Sequence, residues 1–368
     1  MKELKPAKTR IHYIDLMETV AMFFVVAYHL SNLYYKPLES PGLEIWINYF
    51  VRCIFVCCVP LFLVTNGYLL FHHSFDLKRH LKKTVKYVVL TLIWAVLTQL
   101  SANEANGVTQ SPGDFVEAIL TWRYDVIYLW YMGALTIIYL LFPLLKLVYD
   151  KDRKLLLYFC GVLSVFTFGN ELLNHVMTIW YAAKGTELSW VLMENWFTMF
   201  NPVAEIPGYT IVYFCLGAFL QDFLDRLEGF RRRNVNLLAG AALVVLMGIH
   251  GIWFTLLSKA SNSYCCVIWY GYETVTGFLI SLCAVVLLSN YRGAWKPGAK
   301  LLELVSSNTL GIYFMHMVPV HFLSALVYPI DALCNLPMNL LLSALVVGTC
   351  LGVTLVLKKI PGVRHLVS

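Results

Sequence analysis

Apolar runs of about twenty residues recur along this chain from residue 13 to residue 357, parted by short polar gaps. In hydrocarbon every backbone N–H and C=O must be satisfied within the protein, so runs of this length read as membrane-crossing helices. The spacing predicts about ten of them, near 13–33, 48–70, 85–102, 127–148, 155–172, 207–222, 236–257, 267–290, 303–325 and 337–357. Composition agrees: 59% of residues are hydrophobic and 14% charged, where a soluble domain carries about 25% charged residues. The expected fold class is an all-α membrane protein, organised as one transmembrane domain over residues 1–368 with no soluble domain.

The basic residues set the orientation, because Lys and Arg are retained on the cytoplasmic face. With both termini inside, 23 of the 28 Lys and Arg residues fall in inner segments, and only Lys36, Arg52, Arg123, Lys184 and Lys259 fall on the outer side. A net charge of +6 therefore needs no nucleic-acid partner, since it follows from orientation and attraction to anionic lipid. The RRR tract at 231–233 reads as a solvated inner loop. The opening MKELKPAKTR resembles the start of a secretory signal, but the apolar stretch from Tyr13 to Leu33 is too long and lacks a small-x-small cleavage site, so it reads as a retained first span. The longest gaps, 103–126 and 173–206, are outer, and the second carries Trp180, Trp190 and Trp196, as expected at an interface. Most of the ten cysteines lie in apolar runs without metal spacing; Cys265, Cys266 and Cys334 fall in outer loops, where a disulfide is one option.

Ionisable side chains inside spans cost about 2.5–3.5 kcal/mol each on the insertion scale, so each needs a reason. The first span holds three: Asp15, Glu18 and His29. Glu18 and His29 are eleven positions apart, which returns them to within about 20° of one helix face and separates them by roughly 16 Å along the axis. Asp15 sits one turn below, on the same stripe, where it could equally cap the helix or complement its dipole. His316, Glu273 and His250 fall at comparable depth in other spans, and convergence of these faces would make a polar cavity open to the outside. Asn66 is a candidate interhelical hydrogen-bonding group or cavity wall, and Gly67 permits close backbone approach.

After the second span the tract FHHSFDLKRHLKK places His72, His73, Lys78, Arg79, His80, Lys82 and Lys83 at the inner surface. Such a tract serves as a topogenic, lipid-contacting loop, or as a basic entrance for a phosphate-bearing cytoplasmic molecule. Its histidines lack the carboxylate or cysteine spacing of a metal site, and no metal is expected.

Five strings, in order along the chain, resemble the membrane-bound acyltransferase-3 proteins of bacteria. YIDLMETVAMFFVVAYH is similar to that family's first span, with an Asp followed by an apolar helix ending in His. VPLFLVTNGYLLF resembles its VPLFFxxSGYLL, and LWYMGALTIIYLLFPLL its LWYLxxLxxxYLxxPLL. IPGYTIVYFCLGAFL and SSNTLGIYFMH resemble its YxxYFxLGxxL and LGIYLxH elements.

The resemblance implies a multi-pass enzyme of the bacterial plasma membrane. Such an enzyme moves an acyl group, commonly acetyl, from cytoplasmic acyl-CoA to a hydroxyl of an extracytoplasmic glycan or small acceptor. His29 matches the catalytic histidine, as general base. Asp15 and Glu18 complete the catalytic candidates; Asn66, Tyr68, Lys78, Arg79, Trp130 and Tyr131 are candidates for holding acyl-CoA; His316, Glu273 and His250 are candidates for the acceptor pocket. The chain departs from the family at Glu18, where an Arg is usual, and at Asn66 of Asn66-Gly67-Tyr68, where Ser is usual. An acid near the inner end and a histidine near the outer end also suit proton-coupled movement of a small polar solute. A non-catalytic membrane partner is the third reading.

Overall fold

The computed structural model describes residues 10–30, 36, 38, 39, 42–121, 124–185, 208–230, 232–327, 329, 330 and 334–367. Trp190, Trp196, Arg123, Arg231 and the basic residues before Arg10 lie outside these. Among the described residues the chain is helical throughout. The helices are α1 (His12–His29), α2 (Leu43–Arg52), α3 (Cys58–Phe71), α4 (Leu77–Asn106), α5 (Pro112–Thr121), α6 (Trp130–Lys151), α7 (Arg153–Ser164), α8 (Asn170–Ala183), α9 (Gly208–Glu228), α10 (Arg232–Ala260), α11 (Val275–Leu288), α12 (Lys296–Ser306), α13 (Thr309–Met315), α14 (Met317–Val327) and α15 (Leu336–Leu357).

Among the described residues six helical stretches are long and apolar enough to cross a bilayer: Leu43–Phe71, Leu77–Asn106, Pro112–Lys151, Arg153–Ala183, Arg232–Ala260 and Leu336–Leu357. The pair α13 and α14, bent by 46° at His316, makes a seventh if counted as one span. Pro319 accounts for the bend, because it has no N–H for the Met315 carbonyl and its ring crowds that turn. The other expected spans coincide with α1, α9 and α11, which fall short of that standard. α11 has 14 residues, while α1 and α9 carry carboxylates and other polar groups in runs of otherwise apolar residues.

The first span is the central element. α1 packs on α3, α12, α13 and α15, and buries Met17, Ala21, Met22, Val25 and Val26. Its start is tied by Arg10, which donates to both Asp15 carboxylate oxygens at 2.9 and 2.7 Å and to the Ser306 and Ser307 hydroxyls at 2.9 Å. Ser306 also donates to Asp15 at 2.5 Å. The Asp15 hydrogen bonds raise the Arg10 guanidinium above its ordinary value against the opposing effect of burial.

α3 and α9 cross with backbones nearly touching. A Cβ on Gly67 would lie 1.8 Å from the Phe214 carbonyl oxygen, and one on Gly217 would lie 2.3 Å from the Val64 carbonyl oxygen. Only glycine allows both approaches, which is how small residues join membrane helices where no hydrophobic force does so. Among the described residues no disulfide joins the cysteines, Cys265, Cys266 and Cys334 included.

Candidate functional site

The last turn of α1 carries His29 into a chamber of rings. Its imidazole centroid lies 5.3 Å from that of His316 and 6.3 Å from that of Tyr128. His316 is fully buried at the bend between α13 and α14, and lies 5.1 Å from Tyr128 and 5.5 Å from Tyr313. Its Nδ1 is 2.5 Å from the Tyr313 carbonyl oxygen. A carbonyl only accepts, so Nδ1 carries the proton and donates, which leaves Nε2 as a lone pair. That Nε2 is buried and has no hydrogen-bond partner among the described residues.

The wall around these histidines is itself pinned. Tyr128 donates to the Phe314 carbonyl at 2.9 Å and takes the Thr98 hydroxyl at 2.9 Å, while Tyr313 donates to the Tyr128 carbonyl at 2.5 Å. These bonds hold the turn before α6, the bent pair and α4 together. Further out, His321 sits 3.2 Å from the Ser101 hydroxyl through Nδ1, and its Nε2 is 3.5 Å from Asp125, whose side chain is 37% exposed.

A buried cation approaches from another helix. Arg52, near the end of α2, is 3% exposed, and its guanidinium lies 5.2 Å over the Tyr28 ring. Tyr28 in turn lies 4.7 Å from His29, so one aromatic face bridges the charge to the imidazole.

Below this chamber is a cavity of about 240 Å³, lined among others by Glu18, Asn66, Tyr87, Tyr131, Ser306 and Tyr313. Its floor shares Ser306 with the Arg10–Asp15 pair. Its roof is made by Tyr131 and Tyr313, whose rings are 5.5 Å apart. Among the described residues no Lys or Arg lies within ion-pair distance of Glu18; Arg10 pairs with Asp15 instead. Asn66 donates to the Phe62 carbonyl at 3.0 Å and accepts from the Tyr139 hydroxyl at 3.2 Å. At the margin of the cavity the Lys83 ammonium lies 5.4 Å over Tyr87 and 5.3 Å over Tyr139.

The structure therefore pairs His29 with His316, groups Glu18, Asn66 and Tyr131 around the cavity, links the two through Tyr313, and leaves other candidates apart. Asp15 is engaged at the inner end. His250 forms a separate cluster, with Nε2 2.8 Å from the Val267 carbonyl and Nδ1 2.6 Å from the Thr276 hydroxyl, so both ring nitrogens are satisfied. Glu273 faces Glu171, which pairs with His175 at 2.7 Å. Trp130 packs on Trp269 and Tyr272 at 5.5 and 5.8 Å. Lys78 and Arg79 are exposed in the first turn of α4, where Asp76 caps the Arg79 N–H at 2.7 Å, and Tyr68 lies 4.6 Å from His72. His72, His73 and His80 bond backbone carbonyls, and among the described residues no cluster of His, Cys, Asp or Glu is arranged to hold a metal.

Sequence reasoning missed Arg52, Tyr128, His321 and Asp125. Arg52 did carry a signal, a charge within the expected second span, and was assigned instead to the outer surface.

Residues 11–358 match the acyltransferase-3 family, whose description is an acyltransferase domain. No curated protein and no solved structure matches the chain.

Proposed function

The chain belongs to the acyltransferase-3 family, and from that premise we propose that it transfers an acyl group, commonly acetyl, from cytoplasmic acyl-CoA to a hydroxyl of an extracytoplasmic glycan or small acceptor. The observation that carries this reading is the position of His29 against His316 and Tyr128, joined through Tyr313 to the cavity that Glu18 lines. Ten spans in one membrane domain of a bacterial plasma membrane, with both termini inside, fit the charge distribution and put that cavity toward the cytoplasm.

In this reading Lys78, Arg79, Lys82 and Lys83 attract the phosphates of the donor at the inner mouth. A cavity of about 240 Å³ is smaller than the roughly 300–1,000 Å³ that encloses a compact ligand. It suits a linear arm, and the nucleotide stays outside. Asn66, Ser306 and the tyrosine hydroxyls along the cavity offer hydrogen bonds to the amides and hydroxyl of a pantetheine arm, so the donor fits the residues present. His29 removes the proton of the acceptor hydroxyl as its oxygen attacks the thioester carbonyl. The carbon–oxygen bond forms, the carbon–sulfur bond breaks, and His29 returns the proton to the departing thiolate. Arg52, held on Tyr28 beside His29, favours the negative charge that develops on the carbonyl oxygen.

The test uses the full chain in liposomes loaded with radiolabelled acetyl-CoA, with glycerol outside as a generic hydroxyl acceptor. Thioester loss and external label that vanish with His29→Asn are the expected result; no His29-dependent turnover with any common acyl-CoA would sink the reading.

A second reading draws on Glu18, a carboxylate that lines a cavity and, among the described residues, forms no ion pair. Proton-coupled movement of a small polar solute would use such a group. It predicts solute uptake that needs Glu18 and the proton gradient but no acyl-CoA. Glu18→Arg separates the two, because it should abolish transport yet preserve or raise acyl transfer.

A further inference from the structure

We propose that His316 is a positioning residue for His29: its Nε2 lone pair accepts the N–H of the His29 imidazole, fixing which His29 nitrogen faces the substrate and stabilising the imidazolium that forms during transfer. The inference rests on the acyl-transfer reading of the same chamber.

The argument begins with the orphaned nitrogen. A buried ring nitrogen without a hydrogen bond costs about 1–3 kcal/mol, and His316 Nε2 is one. Its own tautomer is not free to relieve this, because Nδ1 is committed to the Tyr313 carbonyl at 2.5 Å. That carbonyl lies in the last turn of α13, which ends at His316 where the helix pair bends. Nε2 therefore presents a lone pair and nothing else, and it accepts but does not donate.

The donor within reach is His29. Two imidazoles joined by one N–H···N bond of about 2.9 Å stand a little over 5 Å apart between ring centres. The His29 and His316 centroids are 5.3 Å apart with planes inclined by 48°, which is the ring separation such a bond requires. The bond gives His29 what a base needs from an orienting group: one nitrogen held by a neighbour, the other lone pair presented to the acceptor hydroxyl. The hydroxyl proton passes to His29 and on to the departing thiolate; His316 gains no proton at any step. A neutral orienting imidazole suits this depth better than a carboxylate, which would carry an uncompensated charge into the span.

The experiment has a spectroscopic and a kinetic arm, both on the full chain in lipid nanodiscs. With ¹⁵N-histidine labelling, His316 should show a protonated Nδ1 and an unprotonated Nε2 whose resonance moves when His29 is changed to Asn. A protonated Nε2, or one insensitive to His29→Asn, overturns the proposal. In thioester-loss assays with acetyl-CoA and glycerol, His316→Leu should lower kcat about 10²-fold while KM for acetyl-CoA stays within about twofold. His316→Gln, whose amide oxygen reaches the Nε2 position, should recover about tenfold of that loss. On a His29→Asn background His316→Leu should cost nothing more, since two residues acting as a unit are not additive. An additive loss, or no recovery with Gln in a protein that elutes as a folded species, overturns the pairing. Absence of wild-type turnover would remove the acyl-transfer reading alone, and the ¹⁵N arm would still decide whether the two rings are joined.

Discussion

His29 and Arg52 meet through one tyrosine ring, and the consequences separate at the level of single side chains. Removing the proposed base by His29→Asn should reduce thioester turnover by about 10²–10⁴-fold, the usual contribution of a general base, measured as CoA release. Tyr28→Phe keeps the π face under Arg52 and should leave thermal stability in detergent nearly unchanged. Tyr28→Leu removes that face and should cost about 2 kcal/mol, because the cation is desolvated. Asp15→Asn weakens the Arg10 pair, whose guanidinium side is 38% exposed, so about 1 kcal/mol is expected, less at high salt. Among these residues His29 and His316 were legible in the sequence, because an imidazole in an apolar run stands out by its cost. Tyr128 was not: it is one of 22 tyrosines, and nothing local distinguishes a ring that pins three elements from one that packs. His250 and His316 look alike in sequence. They differ only in that folding satisfies both nitrogens of one and a single nitrogen of the other.

At the scale of elements, the crossing of α3 and α9 and the bend between α13 and α14 place the site. Gly67→Ala or Gly217→Ala forces a methyl into a facing backbone at 1.8 or 2.3 Å. A loss of about 1–3 kcal/mol or more is expected, read as a lower melting temperature and reduced yield. Gly248→Ala in α10 meets nothing within 4 Å and should be neutral or stabilising by up to about 1 kcal/mol, which controls for helix propensity. Apolar runs and glycines announce these helices in the sequence, and Gly67 is legible there as a point of close approach. What periodicity could not convey is that α1 and α9 fall below the hydropathy of a free-standing span. Asp15 of α1 is tolerated because neighbouring helices cover it, whereas the charged residues of α9 lie exposed past its buried part, and both are properties of the assembly rather than of the run. The pairing of Asp15 with Arg10 was hidden for a related reason: the same carboxylate suits a cap, an ion pair or a reaction, and only the place of Ser306 on α12 decides among them.

For the whole molecule, the distribution of Lys and Arg predicts sidedness that fusions test directly. A fluorescent reporter inserted after Lys154 should fold and emit in the cytoplasm, whereas alkaline phosphatase inserted after Lys259 should be active outside; the reverse pattern would invert the proposed path of the acyl group. The rings of Tyr131 and Tyr313 stand between the Glu18 cavity and the histidine chamber, and Tyr313 is tied to the backbone of Tyr128. In the bacterial plasma membrane proposed for this chain, a continuous wet pore from face to face would discharge the proton gradient held there. In the acyl-transfer reading proposed above, the two tyrosines would serve as a valve seat, with the thioester on one side and outside water on the other.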